Sequence, residues 1–272
     1  MVVSSQPRVA GGLARWYEPT MLGLALGLVV VWLDVLRTAS AIMPPGDDLQ
    51  LWVAFGNRWM DTGSIYTLAQ VAGPVSGEVH GHYATATALY PPAAVPLFLA
   101  AAMLPAPLAP LWWLIPLGLT AWVIARLRPA AWTWPIMAAL LAWPQWSIWA
   151  GGTSMWVMAA VATGPVWRWP AALVLAKPTL APLALIGVRD RRWWIAAGAV
   201  GLLTLAGPWP DYLATLRNLK NVGWSHNLGE TPMVLVPVVA WLGSGGRVRR
   251  ALGVRAVPRR WRAVRAPDGR RN

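Results

Sequence analysis

Long apolar runs constrain this chain more than any other feature of its sequence. They cover residues 21–43, 91–104, 109–126, 131–149, 154–167, 169–188, 193–207 and 231–243. On a soluble domain such runs would leave far too much apolar surface exposed, whereas a helix needs about 20 apolar residues to cross a bilayer. We therefore predict an all-α, polytopic membrane helix bundle with about eight transmembrane helices.

The composition agrees with a membrane protein. Of the 272 residues, 57% are hydrophobic and 12% are charged, and the charged fraction is about half that of a typical soluble domain. There are 21 Trp against 2 Phe and 5 Tyr, and Trp favours the membrane–water interface. The chain has no Cys, which excludes disulfides, thiolate metal sites and a catalytic thiol.

The charge distribution predicts the topology. The net charge is +13, and ten basic residues lie between Arg247 and Arg271. Basic residues beside a span mark the cytoplasmic side far more often than a nucleic-acid site. We predict a cytoplasmic N-terminus (1–20), a transmembrane domain (21–243) with outer loops at 44–90 and 208–230, and a basic cytoplasmic tail (244–272).

Two arginines depart from this topology, because eight full spans place Arg126 and Arg128 outside. Either the run at 91–104 is a re-entrant half-span, or the positive-inside rule is broken in one short loop. The basic, apolar start of the chain resembles a signal peptide, but its run is long and no small-residue cleavage site follows it. We therefore predict a retained first span.

Both outer loops contain amphipathic patterns. Leu51, Trp52, Phe55 and Trp59 recur at helical spacing, which predicts an amphipathic helix over about 48–61 that lies on the outer leaflet. In the second loop, a similar pattern predicts another interfacial helix. Its residues are Tyr212, Leu216 and Leu219.

The acidic pair Asp47 and Asp48 follows the first span and is the first candidate for chemistry. Partial desolvation and a neighbouring like charge would raise the pKa of one carboxyl group, which suits a general base. The alternative is a polar cap on the amphipathic helix, since Asp is a common N-cap residue. Adjacent aspartates could also bind a divalent cation.

Three further groups are candidates. His80 and His82 could bind a metal or could belong to a solvated loop, and no matching ligand set is visible. Lys177 stands within an apolar run, so it either faces a cavity as the counter-charge of a phosphate or carboxylate, or extends to the interface. Asp34 and Arg37 are three residues apart, which predicts an ion pair on one helix face.

Several motifs of soluble enzymes are missing from the sequence. It contains no Walker loop, no dinucleotide-binding glycine fingerprint and no G-x-S-x-G elbow. A nucleotide-driven pump is therefore not expected.

Four short motifs, in order, are similar to those of a known family. The first is an acidic and then aromatic stretch at 48–52, followed by Gly-x-x-Tyr at 63–66, and the second is Tyr-Pro-Pro at 90–92. The third is Pro-Gln at 144–145, followed by Gly-Gly-Thr-Ser at 151–154. The fourth is Lys-Pro at 177–178, followed by a basic segment at 189–194. Over about 20–243 the chain resembles the GT-C membrane glycosyltransferases, in particular glycosyltransferase family 87. Its members are polyprenyl-phosphate-mannose-dependent mannosyltransferases and related arabinofuranosyltransferases of actinobacterial envelopes.

The resemblance implies a sugar donor carried on polyprenyl phosphate and a glycan or glycolipid acceptor. An acidic residue of the first outer loop would deprotonate the acceptor hydroxyl, which attacks with inversion. Asp48 best fits this position, and Asp47 is second. No cofactor is expected, although a divalent cation remains open. The residues assigned to substrate binding are Tyr66, His80, His82, Tyr90, Gln145, Lys177 and His226.

The chain also departs from the family. Members usually continue with further spans, whereas here an Arg-rich tail begins at Gly246, so we expect a truncation, a frameshifted end or a minimal variant. The alternative function is a non-enzymatic membrane protein, either an inactive relative or a transporter of lipid-linked glycans. A transporter is expected to contain two related halves, and no such symmetry is visible in the sequence.

Overall fold

The structure is a computed structural model, and it describes residues 10–39, 45–73, 86–143, 145–205, 207–218 and 231–244. Within these ranges the chain forms helices and loops and no strand, so the all-α prediction is confirmed. The α-helices, in chain order, are α1 (Ala10–Ala39), α2 (Asp47–Thr62), α3 (Leu68–Ala72), α4 (Val95–Ala102), α5 (Leu111–Leu127), α6 (Thr133–Ala142), α7 (Gln145–Ala150), α8 (Ser154–Trp167), α9 (Ala181–Ala184), α10 (Arg191–Leu205), α11 (Trp209–Asn218), α12 (Thr231–Val234) and α13 (Val236–Ser244).

Two helical stretches of the described chain are long and apolar enough to cross a membrane. Each has 22 residues, and they are Tyr17–Thr38 and Ala106–Leu127. Three other apolar helices are shorter: Pro92–Ala102, Thr133–Ala142 and Pro232–Ser244. By length and composition the fold therefore contains two candidate spans, against about eight predicted from the apolar runs.

The difference arises because several apolar runs are broken into short helices. The run at 131–149 divides into α6 and α7, and the run at 169–188 divides into two 3₁₀ turns (Pro170–Ala176 and Pro178–Leu180) followed by α9. Pro170 and Pro182 stand at the starts of their elements. Proline is tolerated there but interrupts a continuing helix, because it lacks the N–H group.

Helix α8 lies at the centre of the fold and coincides with the predicted run at 154–167. Its residues are buried on nearly every side from Ser154 to Gly164, as expected of a helix that is apolar all round. One hydrophobic cluster joins α8 to α2, α4 and α5. A second cluster joins it to the 3₁₀ turn Pro170–Ala176 and α10.

The amphipathic helix predicted at 48–61 is confirmed as α2. Two glycines with left-handed backbone bound it: Gly46 (φ 82°) precedes it and Gly63 (φ 73°) follows it. Its apolar face is covered by protein rather than left to lipid alone, because Phe55 is buried and a Cβ on Gly56 would contact the carbonyl of Phe98 in α4. This close approach fixes which face of α2 is turned inward.

The second predicted amphipathic helix is confirmed as α11, and Leu219 lies outside the described residues. This helix packs on the segment 64–73. Asp211 Oδ2 accepts a hydrogen bond from the Ser64 hydroxyl at 2.7 Å, and Asn218 Nδ2 donates to the carbonyls of Gln70 and Val71, both at 2.9 Å. The parts of the two predicted outer loops that the structure describes therefore form one unit.

Two arginines, Arg37 and Arg58, form defined interactions in the structure. Arg37 and Asp34 form the predicted ion pair at 3.3 Å. Arg58 donates from Nη1 to the carbonyls of Ile65 and Ala86, at 2.6 and 3.2 Å, and burial lowers its pKa. Arg58 thus ties α2 to the chain on both sides of the undescribed residues 74–85.

Candidate functional site

The acidic pair stands at the start of α2. Gly46 occupies the N-cap position, so neither Asp47 nor Asp48 is the N-cap residue of the helix. Both aspartates belong to the first helical turn, where the helix dipole favours negative charge. The left-handed φ of Gly46 turns the chain immediately before them.

The segment 147–154 lies against the first turns of α2 and is fixed there by hydrogen bonds from both sides. Gly46 N donates to the carbonyl of Trp149 at 3.1 Å. The carbonyl of Gly151 accepts two indole N–H groups, from Trp52 at 3.2 Å and from Trp112 at 2.8 Å. Helices α2 and α5 therefore position one peptide group together.

Gly152 brings this segment into contact with the acidic pair. A Cβ on Gly152 would stand 3.1 Å from Asp48 Oδ2 and 3.0 Å from the carbonyl oxygen of Ser147. The preceding Gly151 has a left-handed φ of 83°, which glycine adopts without steric cost. The Gly-Gly pair therefore allows the chain to turn while its backbone approaches the carboxylate of Asp48.

Tyr90 reaches the same segment from the start of α4. Its hydroxyl lies 3.3 Å from Thr153 Oγ1, with either oxygen able to donate. Its ring packs edge-on against Trp52 at 5.1 Å, and its carbonyl accepts a hydrogen bond from the Tyr66 hydroxyl at 2.6 Å. The Tyr-Pro-Pro motif thus places an aromatic hydroxyl beside the Gly151–Ser154 turn.

Tyr66 acts as a donor in this arrangement. Burial, together with nearby Tyr212 and Asp211, raises the pKa of the Tyr66 hydroxyl far above its usual range. The hydroxyl is therefore protonated at neutral pH, which its hydrogen bond to the Tyr90 carbonyl requires. Burial also raises the pKa of Tyr212.

Lys177 approaches the turn from the other side. Its side chain is 4% exposed, and Nζ donates to Ser154 Oγ at 2.7 Å. Lys177 ends the 3₁₀ turn Pro170–Ala176 with extended backbone (φ −122°, ψ 85°). The lysine is thus held inside the protein, and the alternative that it extends to the surface is wrong.

An apolar cavity of about 320 Å³ opens beside these groups. Its polar lining residues are Tyr90, Thr153 and Lys177. The rest of the wall is apolar and comes from α4, α8, the 3₁₀ turn Pro170–Ala176 and α10; examples are Leu97, Trp156, Val157, Leu173 and Leu203. The cavity therefore combines a long apolar wall with one cationic, hydroxyl-bearing region.

The structure brings together three of the predicted site residues: Asp48, Tyr90 and Lys177 each contact the turn 151–154. Tyr66 joins them through the carbonyl of Tyr90. Asp47 lies beside Asp48 at the start of α2, and Gln145 begins α7. His80, His82 and His226 lie outside the described residues.

Other residues of the site were not predicted as such. Thr153 and Ser154 belong to a motif that was noted, but their hydroxyls could be linked to Tyr90 and Lys177 only from the structure. Trp52 was noted in the amphipathic pattern and in the motif at 48–52, and Trp112 only within an apolar run, so their shared hydrogen-bond acceptor was not predicted. Across the described ranges, no three His, Asp or Glu side chains are grouped to hold a metal ion.

Comparison of the chain with known protein families, with curated proteins and with solved structures finds no match.

Proposed function

We propose that this protein is a GT-C membrane glycosyltransferase similar to family 87. It transfers a sugar, mannose or a related one, from a polyprenyl-phosphate donor to an envelope glycan or glycolipid acceptor. The reaction inverts the anomeric centre, with Asp48 as the general base. The proposal includes about eight spans, an outward-facing site and termini in the cytoplasm.

The observation that carries the proposal is the cavity with a buried lysine at its polar region. A polyprenyl phosphate has an apolar chain and an anionic head, and the cavity offers a matching apolar wall and cation. An ammonium group on an apolar cavity wall can serve as the counter-charge of an anionic head group. The hydroxyls of Thr153, Ser154 and Tyr90 add hydrogen-bonding capacity for phosphate oxygens.

The broken helices fit the same proposal. Non-helical backbone at membrane depth is tolerated where it is buried in protein or lines a cavity. The 3₁₀ turn Pro170–Ala176 lines this cavity through Leu173 and Ala176. The short apolar helices and turns would then cross the bilayer in combination rather than singly.

The proposed chemistry has two steps that occur together. Asp48 takes the proton of the acceptor hydroxyl, and the acceptor oxygen attacks the anomeric carbon on the face opposite the phosphate. The bond between that carbon and the phosphate oxygen breaks, and polyprenyl phosphate leaves with the electron pair. Lys177 would balance the charge that develops on this leaving group.

The test is sugar transfer by the protein in membranes, with polyprenyl-phosphate mannose as the donor and envelope glycolipid as the acceptor. Asp48→Asn should lower the rate by roughly 10²–10⁴-fold, the usual contribution of a general base. Asp61→Asn, at the exposed end of α2, is the matched control and should retain the wild-type rate.

Two other results would be decisive. Full activity of Asp48→Asn together with loss of activity in Asp47→Asn would transfer the role of base to Asp47. A wild-type protein that binds donors but transfers sugar from no polyprenyl-phosphate donor would favour the non-enzymatic alternative.

A further inference from the structure

Ser147 carries a buried hydroxyl that the surrounding protein does not satisfy. The residue is 4% exposed, and its Oγ has no hydrogen-bond partner among the described residues. Its carbonyl, in contrast, accepts a hydrogen bond from Gly152 N at 2.6 Å. An unpaired buried hydroxyl is costly, and such groups in folded proteins are nearly always satisfied by protein or by ordered water.

The contacts of Gly152 show which groups lie near the Ser147 hydroxyl. A Cβ on Gly152 would contact Ser147 Oγ and would also stand 3.1 Å from Asp48 Oδ2 and 3.0 Å from the Ser147 carbonyl oxygen. These three oxygens therefore lie close together beside the Gly152 backbone, and the space between the two side-chain oxygens is short enough for one water molecule to bridge. A side chain at residue 152 would overlap the Ser147 hydroxyl, so the close approach of these oxygens requires glycine.

We propose that Ser147 is a positioning residue for Asp48, and that its hydroxyl and the Asp48 carboxylate share one bound water in this space. A water molecule can donate to Asp48 Oδ2 and to the Ser147 carbonyl while it accepts from Ser147 Oγ. Buried waters typically make about three such hydrogen bonds. The water thereby orients the carboxylate and favours its ionised form.

Water fits this space better than an acceptor sugar does. Ser147 and Gly152 are both buried, and neither lines the apolar cavity. A group that lies between Ser147 Oγ and Asp48 Oδ2 must therefore be small, and the acceptor would approach the other carboxylate oxygen of Asp48. The catalytic consequence rests on the proposed function, but the shared water does not.

The first experiment measures thermal unfolding and needs no activity. The unfolding midpoint is determined for the full chain in lipid nanodiscs as wild type, Ser147→Ala, Asp48→Ala and the double variant. If the two residues share a water, Ser147→Ala lowers the midpoint, and the double variant differs from the sum of the singles by about 2 °C or more. Asp48→Asn serves as the second variant if Asp48→Ala fails to fold.

Ser147→Ala combined with Asp61→Asn is the matched control, and the two changes should be additive. A raised midpoint in Ser147→Ala would overturn the proposal, because removal of a truly unsatisfied hydroxyl stabilises a fold. Additivity of Ser147→Ala and Asp48→Ala would overturn it as well.

The second experiment follows kcat/KM for sugar transfer against pH. Loss of the hydrogen bond to the charged form raises the pKa of the carboxyl group, so Ser147→Ala should move the acidic limb up by about one pH unit. Ser147→Thr retains the hydroxyl and should retain the wild-type limb. An unchanged limb with a raised KM for the acceptor would assign the hydroxyl to the acceptor and overturn the water-mediated role.

The two experiments separate the two proposals. A wild-type protein without transferase activity would refute the proposed function and leave the thermal cycle to decide the shared water. Activity combined with additive midpoints would refute the shared water alone.

Discussion

Replacement of Lys177 by Met removes the only charge that the described structure places on the wall of the cavity. Met keeps the length and much of the volume of the side chain while it removes the ammonium group. Because Lys177 is 4% exposed, solvent screens its charge little, and its loss should be felt directly by an anionic ligand. Apolar ligands should be affected far less.

The magnitude follows from the hydrogen bonds that the ammonium group can make. It already donates to Ser154 Oγ at 2.7 Å, and a hydrogen bond to a charged partner contributes about 1.5–3 kcal/mol. Loss of one such bond to a phosphate oxygen corresponds to a decrease in affinity of roughly 10–150-fold. The change also removes the hydrogen bond to the buried Ser154 hydroxyl, so the free energy of unfolding should fall by about 1–3 kcal/mol.

The assay compares the binding of polyprenyl phosphate and of polyprenol to the purified protein in nanodiscs. Lys177→Met should lower the affinity for polyprenyl phosphate by roughly that factor and change the affinity for polyprenol by less than about threefold. Arg192→Met, at the exposed start of α10, removes a charge elsewhere and should change neither. Unchanged binding of polyprenyl phosphate by Lys177→Met would refute the role of Lys177 as a phosphate counter-charge.

Three further predictions concern the residues that position the site. Trp52→Phe and Trp112→Phe should each lower the free energy of unfolding by about 1 kcal/mol, because in each variant the Gly151 carbonyl keeps one indole donor. The double variant should lose more than the sum of the two, and additive free energies in chemical denaturation would contradict this. Gly152→Ala should lower the free energy of unfolding by about 1–3 kcal/mol and remove most of the transferase activity, because the new methyl group overlaps Ser147 Oγ. A wild-type rate would show that activity does not require glycine at residue 152. The pKa of the Tyr66 hydroxyl is raised in the folded protein, so this group stabilises the fold below its ordinary pKa of 10.0. The stabilisation is lost as the pH rises above 10.0. Above that pH, the unfolding midpoint of Tyr66→Phe should therefore fall less steeply with pH than the midpoint of the wild type.

Local patterns predicted the elements of this fold more reliably than their packing. Helices α2 and α11 follow from amphipathic spacing, and α8 follows from an uninterrupted apolar run. The run at 169–188 was expected to be one span, but hydropathy alone does not show that Pro170 and Pro182 begin separate short elements within it. The inward face of α2 depends on the contact of Gly56 with α4, and a sequence pattern contains no information on that neighbour.

For the candidate site too, the sequence predicted individual residues better than their arrangement in space. Lys177 could be selected because a lysine is costly within an apolar run, and Asp48 and Tyr90 could be selected from the motifs that resemble those of the family. Their common contact with the turn 151–154 depends on a left-handed Gly151 and on two indole N–H groups from separate helices. Such long-range hydrogen bonds have no local signature, so the residues could be chosen from the sequence but their arrangement could not.

The exposure of α1 has a consequence for how the protein is made. Only 11% of its apolar window is buried in the protein, and the helices that it contacts, α6 and α7, are translated about a hundred residues later. If α1 spans the membrane as proposed, it must persist in the lipid during synthesis before α6 and α7 emerge. Insertion and assembly of this helix are thus separate events, and a substitution at Ala25, which is buried in the folded protein, should impair the second event without affecting the first.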